Sequence, residues 1–231
     1  MVGIIGAMKV EVENLKRIMC DYTVETISGV DYYKGMLCDT EVVIAQSGVG
    51  KVNAAICTQT MVLIYSPQLI INIGVAGGLN NELNIGDVVI ATEVVQHDVD
   101  TSAIGDPIGL ISGINMINIP CSPKAVAVLK KVTEELKDFK SITGIVASGD
   151  QFLNDRAKTK WISETFNAVA CEMEGGSIGQ VCYINNVDFG IIRAVSDKGD
   201  EDSGISYNEF VQIAAKNSID IIVRFLQEYN Y

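Results

Sequence analysis

The sequence predicts an α/β fold, with helices layered on a largely parallel sheet, and three observations predict it. Strand-like apolar runs alternate with segments of helical periodicity from one end of the 231 residues to the other. Hydrophobic residues make up 48% of the chain and charged residues 20%, which is enough apolar material for one deep core. No linker, internal repeat or low-complexity segment interrupts residues 1–231, so we expect a single domain.

Each element follows from a local pattern. Short apolar runs bounded by polar or glycine residues predict strands over 2–5, 32–38, 41–46, 69–73, 87–95, 142–147, 167–171 and 189–195. Apolar residues at helical spacing predict a helix over 8–20. Further helices are predicted over 51–65, 124–136, 157–165, 174–183 and 207–228. In the first helix the predicted inward-facing residues are Val12, Leu15, Ile18 and Met19.

Two segments have no regular pattern. The segment 74–78 holds three glycines and is predicted to be a loop, because it is too glycine-rich for the interior of a helix or strand. It is either a tight strand exit or a place where the backbone approaches a ligand closely. The segment 97–123 has the weakest periodicity of the chain, and long ordered loops of this kind are usually functional.

Composition and charge exclude several classes of partner. The formal net charge is −12 and the isoelectric point is near 4.5, so we expect no binding to nucleic acid or to anionic membranes. No apolar run approaches the roughly eighteen residues that a membrane-spanning helix needs. The six cysteines include no C-x-x-C pair, which favours free thiols in a reduced, cytoplasmic protein over a disulfide framework or a metal site.

Three acidic residues follow separate apolar strands. Glu11 follows the first strand, Glu174 the strand over 167–171, and Asp197 the strand over 189–195. Taken singly, Glu11 or Glu174 can simply stabilise the N-terminus of a helix through the helix dipole, and Asp197 can cap a turn. Ligands of open α/β sheets, however, bind outside the carboxyl ends of the strands. Three carboxylates brought to that edge predict acid/base chemistry on a small polar molecule.

The remaining motifs argue against other chemistries. The glycine loop around Gly48 and Gly50 has Asn53 at the third glycine position of the G-x-G-x-x-G motif, which disfavours an NAD site. Compared with a P-loop, it has Ala45 in place of the first glycine and Val52 in place of the Ser/Thr, which disfavours an ATP site. His97 is the only histidine, so a histidine metal site or a Ser-His-Asp triad has little support. We expect His97 to be structural or to line the edge of a site, and Trp161 to be a packing residue.

Six motifs occur in the order found in one family. They are Ile4-Ile5-Gly6-Ala7-Met8 with Glu11, Ser47-Gly48-Val49-Gly50-Lys51, Asn72-x-Gly74-x-Ala76-Gly77-Gly78, Ser148-Gly149-Asp150-x-Phe152, Glu172-Met173-Glu174-Gly175 and Arg193-Ala194-Val195-Ser196-Asp197. With these motifs the chain resembles the 5'-methylthioadenosine/S-adenosylhomocysteine nucleosidases of the purine nucleoside phosphorylase superfamily. The resemblance extends from Val2 to the last helix.

The resemblance implies a three-layer sandwich around a twisted, barrel-like, mostly parallel mixed sheet, usually assembled as a homodimer. It implies hydrolysis of the bond between adenine and ribose in a 5'-thio-substituted nucleoside, a small-molecule partner, without a cofactor or metal. By position, Glu11 would activate water, Asp197 would protonate purine N7, and Glu174 would bind the ribose hydroxyls. Arg193, four residues before Asp197, is expected to pair with one of the acids.

Nine further residues are implied to line the substrate site. They are Met8, Val49 and Tyr207 at an apolar 5' pocket, Phe152 and Leu153 against the adenine, Gly77 on the ribose and water side, and Ala76, Met173 and Ser196 beside them.

One position in the resemblance favours water over phosphate as the nucleophile. Phosphorylases of the superfamily carry a phosphate-binding arginine two residues before the first glycine of the segment 74–78, and Asn72 stands there in this chain. The departures Val75, Ile104 and Tyr207 leave open the preference among methylthio, homocysteinyl and 5'-deoxy substituents. Three alternatives also stay open: a hydrolase of another purine nucleoside such as futalosine, a phosphorylase, and a non-catalytic nucleoside-binding protein.

Overall fold

The structure is a computed structural model that describes residues 1–137 and 139–229. Its strands are β1 (Val2–Gly6), β2 (Cys20–Ile27), β3 (Val30–Leu37), β4 (Thr40–Gln46), β5 (Leu69–Gly78), β6 (Val88–Gln96), β7 (Ile119–Pro120), β8 (Ser141–Ser148), β9 (Ala168–Glu172) and β10 (Asp188–Asp197). Its helices are α1 (Lys9–Ile18), α2 (Lys51–Tyr65), α3 (Pro123–Leu136), α4 (Arg156–Phe166), α5 (Gly175–Asn185) and α6 (Ser203–Glu228). A single 3-10 turn, Ser102–Ile104, lies in the segment 97–123.

The strands form one mixed sheet that closes on itself. Its order is β10-β6-β8-β9-β5-β1-β4-β3-β2, and β5 also pairs with β10, so β10, β6, β8, β9 and β5 form a closed ring of strands. β5 pairs in parallel with β1 and β10, and β8 with β6 and β9. The β5–β9 and β10–β6 pairs are antiparallel. This closure is the barrel-like feature that the family resemblance implies.

Helices cover both faces of the sheet and make three layers. Successive residues of a strand point to opposite faces, so Ile4 of β1 contacts one helical layer and Ile5 the other. The first layer consists of α1, α3 and α6, and the second of α2 and α5. A smaller cluster around Ile162 of α4 packs on β8 and β9. The predicted α/β fold with three layers and a mixed sheet is confirmed.

The segment 74–78, predicted to be a loop, is the second half of β5. The prediction was wrong because β10 continues to pair with it, Gly74 with Arg193 and Gly77 with Asp197. The glycines are used for close packing inside the closed ring of strands. Of the two alternatives considered for this segment, a tight strand exit does not describe it, and a close approach of its backbone to a ligand stays a prediction.

Two other predictions were wrong. β2 was not predicted, although Cys20, Tyr22 and Val24 alternate with polar residues; in the structure seven of its eight residues are exposed, so neither face of the strand is buried. Ile18 was expected to face inward but is half exposed, whereas Val12, Leu15 and Met19 are buried as predicted. The helix ends at Ile18 and turns directly into β2. By contrast, the prediction of a helix over 51–65 matches α2 at both ends.

Of the helices that the structure describes, none combines the length and apolar content that crossing a bilayer requires.

Candidate active site

A cavity of about 340 Å³ lies where β1, β5, β9 and β10 end. The structure brings all twelve residues of the predicted site together in its wall. They are Met8, Glu11, Val49, Ala76, Gly77, Phe152, Leu153, Met173, Glu174, Ser196, Asp197 and Tyr207. What each does in a reaction stays a prediction.

Glu11 lies in the first turn of α1 and points back toward β1. Its Oε2 accepts a hydrogen bond from the amide of Met8 at 2.8 Å, and its Oε1 accepts one from the amide of Val75 at 3.3 Å. Burial raises the pKa of Glu11, while the Met8 amide and the charge of Arg193 partly offset the rise. A carboxylate with a raised pKa is a stronger proton acceptor once it is ionised. Glu11 is therefore well placed to act as a base.

The approach of Glu11 to β5 depends on a glycine. A Cβ added at Gly74 would lie 2.8 Å from Glu11 Oε1 and 3.5 Å from Arg193 Cζ. No side chain fits there without moving the carboxylate.

Glu174 lies between β9 and α5 and faces the start of α2. Its Oε1 accepts a hydrogen bond from the amide of Gly50 at 2.9 Å, and its Oε2 is 3.9 Å from Arg193 Nη2. Burial and then the negative charge of Glu172 raise the pKa of Glu174 to about 7, although Arg193 opposes them. Perturbed carboxyl groups of this kind cluster at functional sites.

Arg193 is buried beneath the cavity and holds two neighbouring side chains. Its Nη2 donates hydrogen bonds to the carboxylate of Glu172 and to the side-chain oxygen of Asn72. The Asn72 amide donates in turn to the carbonyl of Ile5 at 3.0 Å. Of the three predicted acids, Glu174 lies within ion-pair distance of Arg193, as expected, but the shorter ion pair is with Glu172, which was not one of the three. Asn72 is fully buried and is not among the residues that line the cavity.

Asp197 is the last residue of β10 and is only 3% exposed. Its Oδ2 accepts a hydrogen bond from Ser196 Oγ and its Oδ1 accepts one from the amide of Gly199, both at 2.9 Å. A Cβ added at Gly77 would lie 3.0 Å from Asp197 Oδ1. The two donors hold the carboxyl group in one orientation at the cavity wall.

Apolar and aromatic side chains form the other side of the cavity. Phe152 and Tyr207 meet edge to face, with ring centroids 5.6 Å apart, and Tyr207 Oη lies 2.9 Å from Met8 Sδ. Phe152 and Val49 are about half exposed, which places them at the mouth. A planar ring in this position can stack on a flat heterocycle.

Five lining residues were not among those predicted. They are Ala7, Val75, Gln151, Cys171 and Glu172. Glu172 and Cys171 end the same apolar strand that led to Glu174, so the argument from strand ends would have found them if applied to the whole turn.

Three residues considered from the sequence lie outside this wall. Ile104 is 82% exposed and is not a lining residue. His97 is buried, and its ring packs against the backbone of Gly149. Trp161 packs edge to face on Phe166 with ring centroids 5.9 Å apart, as expected of a packing residue.

The charges of the wall limit its chemistry. Four carboxylates line the cavity, and none of the described lining residues is a lysine or arginine. Such a wall suits hydrogen bonds to hydroxyl groups and proton transfer, and it repels anions. Within residues 1–137 and 139–229, no group of three or more His, Cys, Asp or Glu side chains is arranged to hold a metal ion.

Known proteins resemble this chain over nearly its whole length. The family described as the phosphorylase superfamily matches residues 1–227. The 5'-methylthioadenosine/S-adenosylhomocysteine nucleosidase of Shewanella halifaxensis is 40% identical over 228 residues, which cover 98% of this chain and 99% of that protein. The crystal structure of the Neisseria meningitidis nucleosidase of the same name, in complex with methylthio-immucillin-A, has a TM-score of 0.95 at 34% identity and covers 99% of both chains. The native structure of futalosine hydrolase from Helicobacter pylori has a TM-score of 0.94 at 33% identity, over 99% of this chain and 97% of that one.

Proposed function

We propose that this chain, which belongs to the phosphorylase superfamily and to its 5'-methylthioadenosine/S-adenosylhomocysteine nucleosidases, hydrolyses the N-glycosidic bond of both nucleosides. The products are adenine and the corresponding 5-thioribose. 5'-Deoxyadenosine, which has the same base and an apolar 5' end, is a further expected substrate.

In the proposed reaction, water replaces adenine at the ribose C1'. Glu11 takes a proton from the water as its oxygen bonds to C1', and Asp197 gives a proton to purine N7 as the bond between C1' and N9 breaks. Acid/base steps of this kind contribute about 10²–10⁴-fold each. The burial of both carboxyl groups and their convergence on one cavity support these roles.

Glu174 would bind the ribose hydroxyls. The ionised carboxylate accepts hydrogen bonds from them, and these bonds contribute to rate when they strengthen as the sugar flattens toward the oxocarbenium-like transition state. The amide of Gly50 bonds to Oε1 of Glu174, and Oε2 faces Arg193.

Other wall residues are proposed to bind the base and the 5' substituent. In the proposal, Phe152 stacks on adenine beside Leu153, and Met8, Val49 and Tyr207 surround the 5' substituent. The other residues of the predicted site contact the ribose and base: Ala76, Gly77, Met173 and Ser196.

The acidic wall is the observation that favours water over phosphate. A phosphate nucleophile needs a cation beside C1', and none of the described lining residues supplies one. The nearest arginine, Arg193, bonds to Glu172 and Asn72 below the wall. Asn72, at the position where phosphorylases carry arginine, serves to hold Arg193.

Release of free adenine from 5'-methylthioadenosine, in phosphate-free buffer and again with added phosphate, tests the proposal. We expect the same rate in both buffers and free methylthioribose as the second product. Release that requires phosphate would make the protein a phosphorylase. No release in either buffer would contradict the substrate assignment.

Futalosine is a second candidate substrate, because the futalosine hydrolase structure matches this fold almost as well as the nucleosidase structures do. The same assay with futalosine, at equal concentration, decides between them. We expect the larger kcat/KM for 5'-methylthioadenosine.

We also propose that residues 1–231 form one nucleosidase domain that assembles as a homodimer in the cytoplasm, where it returns adenine and thioribose to methionine salvage. Two adjacent helices of the same layer, α2 and α5, support the dimer with exposed apolar side chains. They are Val52, Ile56, Leu63, Ile64, Tyr183 and Ile184, each more than 40% exposed. Exposed apolar patches of this kind are typical of surfaces that bind another protein.

A further inference from the structure

Three segments that carry no proposed catalytic side chain meet beside the cavity and are joined in a closed set of bonds. Lys51 is the first residue of α2, Asp98 follows β6, and Asp150 follows β8. Lys51 Nζ donates to Asp98 Oδ1 at 2.6 Å, and the amide of Asp150 donates to Asp98 Oδ2 at 2.9 Å. The amide of Lys51 donates to Asp150 Oδ1 at 2.7 Å, which closes the set. We call these three residues the clasp.

We propose that the clasp is a positioning device that fixes the ribose-binding side of the active site relative to its base-binding side. This inference rests on the proposed function. It assigns roles to Lys51, Asp98 and Asp150, which touch no substrate themselves.

The clasp acts on the ribose side through Gly50. The amide of Gly50 donates to Glu174 Oε1 at 2.9 Å, and the next amide, that of Lys51, donates to Asp150. Two successive amides at the start of α2 are thus held by two different carboxylates. A shift of Lys51 moves Gly50 and with it the hydrogen bond that orients Glu174.

The clasp acts on the base side through the residues after Asp150. Gln151, Phe152 and Leu153 follow directly and line the cavity. The backbone before them is fixed as well, because the amide of Gly149 donates to the carbonyl of Glu172 at 3.1 Å and the His97 ring packs against Gly149. The position of the loop 149–153 relative to α2 is then set by Asp150, whose side chain accepts the hydrogen bond from the amide of Lys51.

The surroundings of the clasp favour its charged form. The side chains of Lys51 and Asp98 are only 18% and 21% exposed, so water screens this pair less than the fully exposed pairs of the surface. Burial opposes ionisation of Asp98, but the Lys51 ammonium and the Asp150 amide outweigh it and lower the pKa of Asp98. Lys51 Nζ also donates to Gln96 Oε1 at 3.2 Å. Removing the Lys51 ammonium leaves the Asp98 carboxylate, within the clasp, with the Asp150 amide as its donor and without a cation.

Hydrogen exchange tests the clasp without any need for activity. Lys51→Met keeps much of the side-chain length and removes the charge, and Lys131→Met is the control, since it breaks an ion pair of the same 2.6 Å length between α3 and Glu228. We expect faster exchange in Lys51→Met over both 48–53 and 149–153, and no change there in the control. Faster exchange in one segment alone, or in neither, would overturn the proposal.

Kinetics supply the second test. In Lys51→Met we expect kcat for 5'-methylthioadenosine to fall about 10–100-fold, the range that a misplacement on the order of 1 Å produces. Lys51→Arg restores the charge and should recover most of kcat, and Asp98→Asn, which keeps the shape of the side chain, should reproduce the loss. A kcat within about twofold of wild type in both Lys51→Met and Asp98→Asn would contradict the positioning role. If the wild-type protein releases no adenine, the proposed function fails, and the exchange result still decides about the clasp.

Discussion

Glu174 is a buried carboxyl group beside a second carboxylate, and its ionisation links folding to pH. Its pKa rises from 4.5 to about 7, first because of burial and then because of Glu172. The folded protein therefore holds the proton more tightly than the unfolded chain does. The stabilisation from this group is complete below about pH 4.5 and is lost as the pH rises through about 7.

Glu174→Gln should remove this pH dependence, because glutamine stays neutral and its side-chain oxygen can still accept from Gly50. A difference of about 2.5 pKa units corresponds to roughly 3 kcal/mol as an upper limit. We expect the variant to melt a few degrees above wild type at pH 8, and the two proteins to converge at pH 5. Thermal unfolding at both pH values measures this, and parallel curves would show that Glu174 does not titrate in this range.

Glu11 and Asp197 are predicted to be essential for turnover and dispensable for binding. Glu11→Gln and Asp197→Asn keep the shape of each side chain and remove its acid/base function, so we expect adenine release to fall by about 10²–10⁴-fold. Calorimetric titration with 5'-methylthioadenosine should still show binding. Glu13→Gln is the matched control, because Glu13 lies on the same helix, pairs with Lys16 on the surface and should not affect the rate. Near-normal turnover in either active-site variant would overturn the assigned roles.

At the scale of elements, β5 brings glycines to the point where two acids approach it. Gly74→Ala would place a Cβ 2.8 Å from Glu11 Oε1, so the carboxylate must move. We expect a loss of about 1–3 kcal/mol in the free energy of unfolding and a marked fall in kcat. Denaturant unfolding and adenine release measure the two effects. Gly204→Ala on α6 is the control, because a Cβ there meets nothing within 4 Å, and it should leave kcat unchanged.

The elements that the sequence predicted well are those with one clear pattern. α2 could be placed to the residue because a glycine loop precedes it, no glycine or proline interrupts residues 51–65, and Pro67 follows its end. β2 could not, because its side chains are exposed on both faces and its position depends on pairing with β3. The end of β5 was missed for a related reason. Only the tertiary pairing with β10 shows that its glycines continue the strand.

The sequence predicted the site residues that lie at or just after the ends of strands, but not the hydrogen bonds of the buried residues behind the cavity wall. Glu11, Glu174 and Asp197 follow apolar runs, and the structure brings them to one cavity. The partnership of Arg193 with Glu172 and Asn72 joins three strands, so no local pattern could specify it. The clasp was hidden in the same way, since its residues come from three distant segments.

At the scale of the whole molecule, the proposed dimer makes a prediction about the exposed face of α2 and α5. Leu63 on α2 is 69% exposed, and an arginine there would place a charge in the centre of an apolar interface. We expect wild type to have twice the 24.9 kDa mass of the chain and Leu63→Arg to be monomeric. Light scattering coupled to size exclusion measures both masses. Ile213→Arg is the control: Ile213 is 54% exposed but belongs to α6 in the other helical layer, so this variant should stay dimeric.

The closed ring of strands has a consequence for the order of events during synthesis. β5 leaves the ribosome early, but the strand that closes the ring beside it, β10, is near the end of the chain and carries Asp197. Until β10 emerges, one edge of β5 has no partner there, and Glu11 lacks Asp197, its proposed catalytic partner. Contacts between segments so far apart in sequence form slowly. If the proposed roles hold, the nascent chain carries Glu11, Glu174 and the glycines of β5 before β10 supplies Asp197, and it becomes catalytically competent only after β10 and the start of α6 have joined the fold.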